Sequence, residues 1–153
     1  MNAGTAGTAV SAGQALNAGH TGSLYVDTSG LYKLVVAEAE SQALRRFLLS
    51  WPAQATSELA QVELIRAVRR SPAGVNALEG RARQVLASVD LLRLTAQILD
   101  AAATIAPATL RSLDAIHLAS ALSLGALLGG VVTYDTRLAG AARHAGLPVY
   151  WPQ

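Results

Sequence analysis

The sequence predicts an α/β fold in which a mainly parallel sheet carries helices on both faces. Short apolar segments alternate with longer segments of helical period along the 153 residues, and this alternation is typical of parallel strands joined by right-handed helical crossovers. Two apolar segments, residues 24–26 and 131–134, are each followed by an aspartate. Strands that are apolar on both faces are buried, and ligands gather at the carboxyl ends of such strands. We therefore expect Asp27 and Asp135 to leave the sheet at one edge, as candidates for a functional site.

The composition indicates a single folded domain. A chain of 153 residues is long enough to bury one sizeable core, and a hydrophobic fraction of 52% with 14% charged residues excludes a wholly disordered chain. The absence of cysteine excludes disulfides, thiolate metal sites and a cysteine nucleophile. A formal net charge of +2 gives no argument for nucleic-acid binding by itself. We expect one domain over residues 23–153, preceded by a leader over residues 1–22.

The leader and one uncharged segment bear on where the protein resides. Residues 1–22 are mostly Gly, Ala, Thr and Ser, and we expect them to be disordered or foreign to the native protein. They have neither the basic start nor the apolar run of a secretory signal. Residues 115–134 carry no formal charge over the length of a membrane span, but the polar side chains and glycines among them favour a helix, a turn and a buried strand. We therefore expect a cytoplasmic protein that does not enter a membrane.

The first third of the chain alternates between strand and helix signals. The strand that ends at Asp27 is followed by small hydroxyl residues, and Ser29 is expected to cap the next helix. A second helix is expected over residues 39–50, because its apolar side chains share one face and Pro52 ends it. A short strand is expected over residues 53–57.

The middle of the chain is predicted to add three helices and a strand. Ser57 and Thr95 are suitable N-caps, while Ser71 and Pro72 fit the cap and first position of a helix. The elements expected here are a helix over residues 58–70, a helix reaching about residue 86, a strand over residues 90–95 and a helix over residues 96–105.

The last third is predicted to end the sheet. Gly125 and Gly146 are expected to stop the two helices of this region. The expected elements are a helix over residues 109–124, a strand leading to Asp135, a helix over residues 136–145 and an edge strand over residues 148–151.

Two predicted helices carry a carboxylate among apolar neighbours. Glu63 and Asp114 each have apolar residues one helical turn away on both sides. A carboxylate at the margin of an apolar face is costly to desolvate and, without a compensating partner, becomes protonated. Together with Asp27 and Asp135, these side chains are expected to converge at the C-terminal edge of the sheet.

Four converging carboxylates favour a divalent cation. Repulsion between like charges raises their pKa values, and a cation restores the ionised forms. Oxygen ligands without cysteine suit Mg²⁺ or Mn²⁺ rather than zinc. An ion with open water positions can activate a water and stabilise charge on a phosphoryl oxygen, so phosphodiester hydrolysis is the expected chemistry.

Each of these residues also has a structural interpretation. An aspartate after a strand is often only a helix cap, and a helical carboxylate is usually solvated or ion-paired. Glu58 is interpreted as structural because it lies at a helix start, where the dipole favours acids. His117 is interpreted as a core or supporting histidine rather than a metal ligand, and His20 and His144 suggest no site. The sequence shows no Ser-His-Asp order, P-loop or dinucleotide fingerprint.

Four short blocks of the sequence occur in an order that spans the domain. They are LYVDTS at residues 24–29, SELAQVEL at 57–64, LDAIHLA at 113–119 and VTYDTRL at 132–138. In this order they resemble the successive signature blocks of PIN domains, and most closely those of VapC-type toxins of bacterial toxin-antitoxin pairs. Each block is short, but four in order are specific. The long leader departs from the family pattern.

The resemblance implies a three-layer α/β/α sandwich, a Mg²⁺ or Mn²⁺ site and endoribonuclease activity. The residues that match the family's site are four acids and two supporting hydroxyls: Asp27, Glu63, Asp114 and Asp135, with Ser29 and Thr133. In this interpretation the three aspartates hold the ion directly or through water, and Glu63 binds it or orients the attacking water. Arg66, Arg111 and Arg137 are candidates for binding RNA phosphate or for ion pairs that shape the site.

The resemblance also implies partners. Family members typically cleave structured RNA, often tRNA or ribosomal RNA loops, form homodimers and are silenced by a small VapB-type antitoxin that presents an arginine to the acids. Two alternatives remain open. One is a solitary PIN-type nuclease for RNA processing or for DNA, and the other is a non-catalytic PIN module that binds a partner.

Overall fold

The computed structural model describes residues 20–71 and 75–153. In these ranges the chain forms five strands and seven helices. The strands are β1 (Ser23–Val26), β2 (Ala53–Ser57), β3 (Asp90–Leu92), β4 (Leu128–Val132) and β5 (Val149–Tyr150). The helices are α1 (Thr28–Val35), α2 (Ser41–Leu49), α3 (Leu59–Arg69), α4 (Val75–Ala87), α5 (Ala96–Thr104), α6 (Ser112–Leu122) and α7 (Thr136–His144), with a short 3-10 turn at Gly125–Leu127.

The strands form one parallel sheet. Their order is β3-β2-β1-β4-β5, and every neighbouring pair is parallel. In the middle of the sheet, Tyr25 of β1 lies opposite Ala55 of β2 and Val131 of β4. Because all strands run in one direction, their carboxyl ends share one edge, and the residues that follow β1 and β4 meet there.

Alternation along the central strands divides the core between the two faces of the sheet. Leu24, Val26 and Val132 pack with the buried side chains of α1, α2, α3 and α4. Tyr25 and Val131 point the other way and pack against α6 and α7, while α5 covers α6 through a separate apolar cluster. The prediction of a three-layer α/β/α sandwich is therefore confirmed.

Local signals predicted the start of α5 correctly and the start of α3 to within one residue. The Thr95 side chain accepts a hydrogen bond from the backbone N of Ile98 and caps α5. α3 begins one residue later than predicted, with Glu58 instead of Ser57 at the N-cap position, although Ser57 Oγ accepts a hydrogen bond from the backbone N of Leu59 at 3.2 Å. The start proposed at residues 71–72 lies partly outside the described residues.

Several predicted boundaries near the C-terminal end differ from the structure, and two of them bear on the candidate acids. The helix expected from residue 109 begins only at Ser112, because Arg111 is still extended, with φ −68° and ψ 149°. The strand expected to lead into Asp135 ends at Val132. Asp135 therefore lies at the start of α7, as its N-cap, instead of directly after the strand.

The start of the described chain packs against the domain. The ring of His20 stacks on Trp51 with 4.1 Å between ring centroids. Residues 1–19 lie outside the described residues, so the leader and its boundary stay a prediction. Residues 115–134 form most of α6, the 3-10 turn and β4, as expected. Among the residues described, no helix has both the length and the apolar character needed to cross a membrane.

Candidate active site

Asp27 directly follows β1 and caps α1. Its backbone is extended, with φ −76° and ψ 174°, and its Oδ1 accepts a hydrogen bond from the backbone N of Gly30 at 3.1 Å. Ser29 Oγ donates to the same oxygen at 2.6 Å, and Thr133 Oγ1 donates to Oδ2 at 2.8 Å. The residue is only 4% exposed. Three donors therefore hold a buried carboxylate at the end of the central strand.

The prediction that Ser29 caps α1 is wrong, because Asp27 occupies that position. The helix begins one residue before Ser29, which places this side chain in the first turn. There Ser29 Oγ donates to Asp27 and accepts from the backbone N of Tyr134 at 2.8 Å. Thr133 does the same for the next residue, since its hydroxyl donates to Asp27 and accepts from the backbone N of Asp135 at 3.0 Å. The two hydroxyls thus tie the ends of β1 and β4 together around one carboxylate.

Glu63 lies on α3 and meets His117 from α6. Glu63 Oε2 is 2.6 Å from His117 Nε2 and accepts a 2.6 Å hydrogen bond from Thr28 Oγ1. The histidine is 3% exposed, and its Nδ1 lies 2.7 Å from the hydroxyl of Tyr25. These contacts fit the interpretation of His117 as a supporting histidine. They also show that Glu63 is held directly by side chains from α1 and α6, and that Tyr25 of β1 contacts the histidine.

Asp135 and Asp114 carry the remaining negative charge. Asp135 Oδ1 accepts from the backbone N of Arg137 at 2.8 Å and of Leu138 at 3.2 Å, so this side chain caps α7. Asp114 lies in the first turn of α6, and its Oδ2 is buried without a hydrogen-bond partner among the described residues. An unpartnered carboxylate oxygen is costly to bury, which makes Asp114 a position where a bound cation would compensate the charge.

Burial and neighbouring groups shift the pKa values of these carboxyl groups in different directions. Burial raises the pKa of Asp27, and this effect outweighs the hydrogen bonds that favour its ionised form. Burial would also raise the pKa of Glu63, but the hydrogen bonds from His117 and Thr28 lower it overall. Burial and the negative charge of Asp135 raise the pKa of Asp114. Asp27 and Asp114 therefore have too little positive charge nearby to offset the effect of burial on their pKa values.

The four acids share one edge of the sheet but do not form a closed metal cage. Within residues 20–71 and 75–153, no three His, Asp or Glu side chains are arranged to hold a metal ion as they stand. The donors are nonetheless all oxygens, and the buried Asp114 oxygen has no partner in that part of the chain. This set fits a hard divalent cation that is bound through a few carboxylates and retained water, as Mg²⁺ usually is.

The three arginines named from the sequence differ in their relation to these acids. Arg137 Nη2 lies 3.9 Å from Asp135 Oδ2. The charges of Arg137 and Arg111 both act to lower the pKa of Asp114. Arg66 is exposed on α3 and forms no ion pair within the described ranges. Two of the three arginines therefore contribute positive charge next to the acids.

Sequence reasoning missed Thr28 and Tyr25 as residues of this site. Thr28 follows Asp27 directly, and only its contact with Glu63, 35 residues away, reveals its part. A better signal existed for Tyr25, because a tyrosine in the middle of a central strand needs a partner for its buried hydroxyl. That partner is His117, which lies 92 residues further along the chain.

A groove of about 520 Å³ adjoins the acids. Thr28 and Ser29, which bond to Glu63 and Asp27, form part of its wall, and the ammonium of Lys33 lies 4.7 Å from the ring centroid of Tyr134 within it. The groove is lined by Thr28, Ser29, Tyr32, Lys33, Glu38, Ala67, Arg70, Ser71 and Tyr134. None of the four acids lines the groove, which is connected to Glu63 and Asp27 through the hydroxyls of Thr28 and Ser29.

Comparison with known proteins places these features in a family context. The family model of the PIN domain matches residues 24–144. Ribonuclease VapC46 of Mycobacterium tuberculosis is 43% identical over 129 residues, which cover 84% of this chain and 97% of that protein.

Two solved structures are similar in fold. One is the crystal structure of Mycobacterium tuberculosis VapC20, a sarcin-ricin loop cleaving toxin, with a TM-score of 0.66 at 21% identity, covering 84% of this chain and 99% of that chain. The other is a toxin-antitoxin complex from Klebsiella pneumoniae, with a TM-score of 0.63 at 22% identity, covering 85% of this chain and 98% of that chain.

Proposed function

Because this chain belongs to the PIN-domain family and is a VapC-type member of it, we propose that it is a Mg²⁺- or Mn²⁺-dependent endoribonuclease and the toxin of a toxin-antitoxin pair. The observation that carries the proposal is the buried carboxylate of Asp27 at the carboxyl end of the central strand, together with the partnerless buried oxygen of Asp114. Buried acids that lack compensation are typical of functional sites.

PIN-domain ribonucleases generally use a divalent metal ion, and the donors here fit one. Asp27, Asp114 and Asp135 would hold the ion directly or through water. When bound, such an ion supplies charge neutralisation at the phosphate and lowers the pKa of a water. Hydrogen bonds from Ser29 and Thr133 already fix Asp27, so this carboxylate needs no reorganisation during the reaction.

The geometry favours an orienting role for Glu63 over a basic one. An effective general base has a pKa near the working pH, whereas the hydrogen bonds from His117 and Thr28 lower the pKa of Glu63. A carboxylate that stays ionised accepts hydrogen bonds well and takes protons poorly. We therefore assign Glu63 to binding the ion or orienting the attacking water.

Positive charge beside the acids supports a phosphate substrate. Arg111 and Arg137 act on Asp114 from the two helix starts that carry the aspartates. Arginine binds phosphate through a planar fork of donors. In this proposal both residues shape the site in the free protein and contact the RNA backbone in the complex, and the exposed Arg66 adds a further phosphate contact.

The proposal extends to substrate, partner and assembly. The substrate is structured RNA, tRNA or ribosomal RNA, whose chain passes along the groove beside Asp27. The partner is a VapB-type antitoxin, and the location is the cytoplasm. The toxin is a homodimer in this proposal, because homodimers are typical of the family.

Mapping of cleavage sites tests this function. Purified protein is incubated with total RNA in Mn²⁺, in Mg²⁺ or in EDTA, and new 5′ ends are sequenced. We expect discrete internal cuts in a few structured RNAs with either ion and none in EDTA. Asp114→Asn should remove these cuts, whereas Asp90→Asn, the same change at an exposed position, should leave them unchanged. The absence of cuts with both ions, or equal cutting in EDTA, would contradict the proposal.

A further inference from the structure

A buried hydrogen-bond chain reaches Glu63 from the centre of the sheet. The backbone N of Ser57 donates to the hydroxyl of Tyr25 at 3.2 Å, and this hydroxyl lies 2.7 Å from His117 Nδ1. His117 Nε2 then lies 2.6 Å from Glu63 Oε2. Tyr25 is fully buried and His117 nearly so. The chain joins β2, β1, α6 and α3 in one continuous path.

The chemistry of these groups fixes the direction of the bond to Glu63 and permits Tyr25 to donate to His117. An ionised carboxylate only accepts, so His117 Nε2 must carry a proton towards Glu63. Burial raises the pKa of the Tyr25 phenol, which keeps its proton available. This hydroxyl accepts from the backbone N of Ser57 and has a proton of its own, which it can donate to His117 Nδ1. Tyr25 thereby selects the imidazole tautomer that donates to Glu63.

The two carboxylate oxygens of Glu63 differ in their hydrogen bonding. Oε2 accepts hydrogen bonds from His117 Nε2 and Thr28 Oγ1, while Oε1 accepts no hydrogen bond from the described residues. The ring of His117 is also held edge-on against Tyr25, with centroids 5.9 Å apart and an interplanar angle of 73°. The carboxylate is therefore fixed at one oxygen and available at the other.

We propose that His117, with its tautomer set by Tyr25, is a positioning residue that orients Glu63 so that its free oxygen serves the metal site. This inference rests on the proposed function, since it assigns a purpose to contacts of the same site. Replacing a residue that hydrogen-bonds a metal ligand, without itself touching the metal, typically lowers metal affinity or activity about 10- to 100-fold.

Three substitutions separate positioning from a purely structural role. His117→Leu removes the donor to Glu63, whereas His117→Gln keeps an amide N–H that can take its place. Tyr25→Phe removes only the hydroxyl. Tyr150→Phe is the matched control, because it makes the same change at a half-buried tyrosine on β5, in contact with Phe47 and Trp51 instead of the acids. Circular dichroism and thermal melting establish that each full-length variant is folded.

The readouts are Mn²⁺ affinity by calorimetry, kcat and KM on one RNA substrate, and the His117 tautomer from ring ¹⁵N shifts. We expect wild-type His117 to carry its proton on Nε2. His117→Leu should weaken Mn²⁺ binding and lower kcat about 10- to 100-fold with KM for RNA unchanged, and His117→Gln should restore most of both. Tyr25→Phe should cause a loss of about threefold to tenfold, as expected for one hydrogen bond, and Tyr150→Phe should cause none.

Several outcomes would overturn the inference. The first is that folded His117→Leu binds Mn²⁺ as tightly as the wild-type protein does. The second is that His117 of the wild-type protein carries its proton on Nδ1 alone. The third is that His117→Gln and His117→Leu lose Mn²⁺ affinity and kcat equally. If leucine prevents folding, an unchanged Mn²⁺ affinity in Tyr25→Phe overturns it instead. If wild-type protein cleaves no RNA but loses Mn²⁺ affinity on His117→Leu, the inference stands and the nuclease assignment fails.

Discussion

Asp27 is a buried carboxylate that receives hydrogen bonds from Ser29, Gly30 and Thr133. Burial nevertheless raises its pKa, which means that the ionised form is less stable in the folded protein than in the unfolded chain. The ionised Asp27 side chain thus lowers the free energy of unfolding of the protein. Such a loss is typical of residues that are kept for function.

The pH dependence of stability tests this cost at Asp27. Its carboxyl ionises at about pH 4 in the unfolded chain and at a higher pH in the folded protein. Between these two values the folded state binds more protons, so stability falls as pH rises, and the full cost is present above the folded pKa. In EDTA, Asp27→Asn should melt at a higher temperature than wild type at neutral pH, and the difference should shrink towards pH 4.

Differential scanning calorimetry across this pH range measures the effect. Asp100→Asn, at an exposed position on α5, serves as the control and should track wild type throughout. If Asp27→Asn and wild type melted together at every pH, burial of the Asp27 charge would carry no cost.

At the scale of elements, the packing of α1 against the sheet determines where Asp27 lies. A Cβ placed on Gly30 would lie 2.8 Å from Val26 Cγ1 and 3.6 Å from Val132 Cγ1. Both valines are fully buried in the central strands. The backbone N of Gly30 also donates to Asp27, so the close approach of helix and sheet and the cap of the helix depend on the same residue.

Gly30→Ala should therefore destabilise the protein by about 1–3 kcal/mol, because the added methyl group overpacks a buried contact. Gly80→Ala is the matched control: apart from the adjacent backbone of α4 itself, no atom of the described residues lies within 4 Å of a Cβ at Gly80, and alanine should stabilise this helix by about 0.5–1 kcal/mol. Urea unfolding of both variants gives the two free energies of unfolding. A Gly30→Ala variant as stable as wild type would show that α1 can shift without cost.

Elements whose signals are local were predicted well, and elements decided by distant contacts were not. Thr95 caps α5 as expected from its own neighbours. Ser29 does not cap α1, because its hydroxyl binds the backbone N of Tyr134, 105 residues away. The glycines among residues 115–134 predict a turn before the strand, yet two of them, Gly129 and Gly130, lie in β4.

The rings of Trp51 and Tyr150 explain the glycines of β4. A side chain on Gly129 would meet the Trp51 ring, and one on Gly130 would meet Tyr150. Glycine at these positions makes room for aromatic side chains from elsewhere in the chain. A pattern confined to residues 125–130 contains no sign of that packing, which is why the turn was extended too far.

The acids of the candidate site could be predicted from the sequence, but the side chains that hydrogen-bond to them could not. The placement of Asp27 and Asp135 follows from strand order, and Glu63 and Asp114 were indicated by their apolar neighbours on predicted helices. The pairing of Glu63 with His117 joins residues 54 positions apart, and no spacing rule reports it. Contacts of this kind become visible only when the helices are placed on the sheet.

At the scale of the whole molecule, strand order brings distant residues together. The order β3-β2-β1-β4-β5 puts β1 in the centre, so the chain that follows it lies between the ends of β2 and β4. The helices α3 and α6 pack on opposite faces of the sheet and bring Glu63 and His117 into contact beside this centre. The metal site proposed here is therefore a property of the complete fold.

Binding of an ion should stabilise the whole domain. At a concentration 100 times its Kd, a ligand adds about 2.7 kcal/mol, which corresponds to a rise in Tm of roughly 5–10 °C for a chain of this length. We expect Mn²⁺ to raise the Tm of wild-type protein, and Asp114→Asn to lose most of this rise. Thermal melting with and without EDTA measures it, and an identical rise in Asp114→Asn would place the ion elsewhere.

We expect Asp27 to be required for metal-dependent RNA cleavage. The most direct measurement compares the rates at which wild type, Asp27→Asn and Asp100→Asn cleave one structured RNA in Mn²⁺ at neutral pH. We predict equal rates for wild type and Asp100→Asn, and no cleavage above background for Asp27→Asn, although this variant is folded. Wild-type cleavage by folded Asp27→Asn would contradict the assignment of this edge of the sheet as the active site.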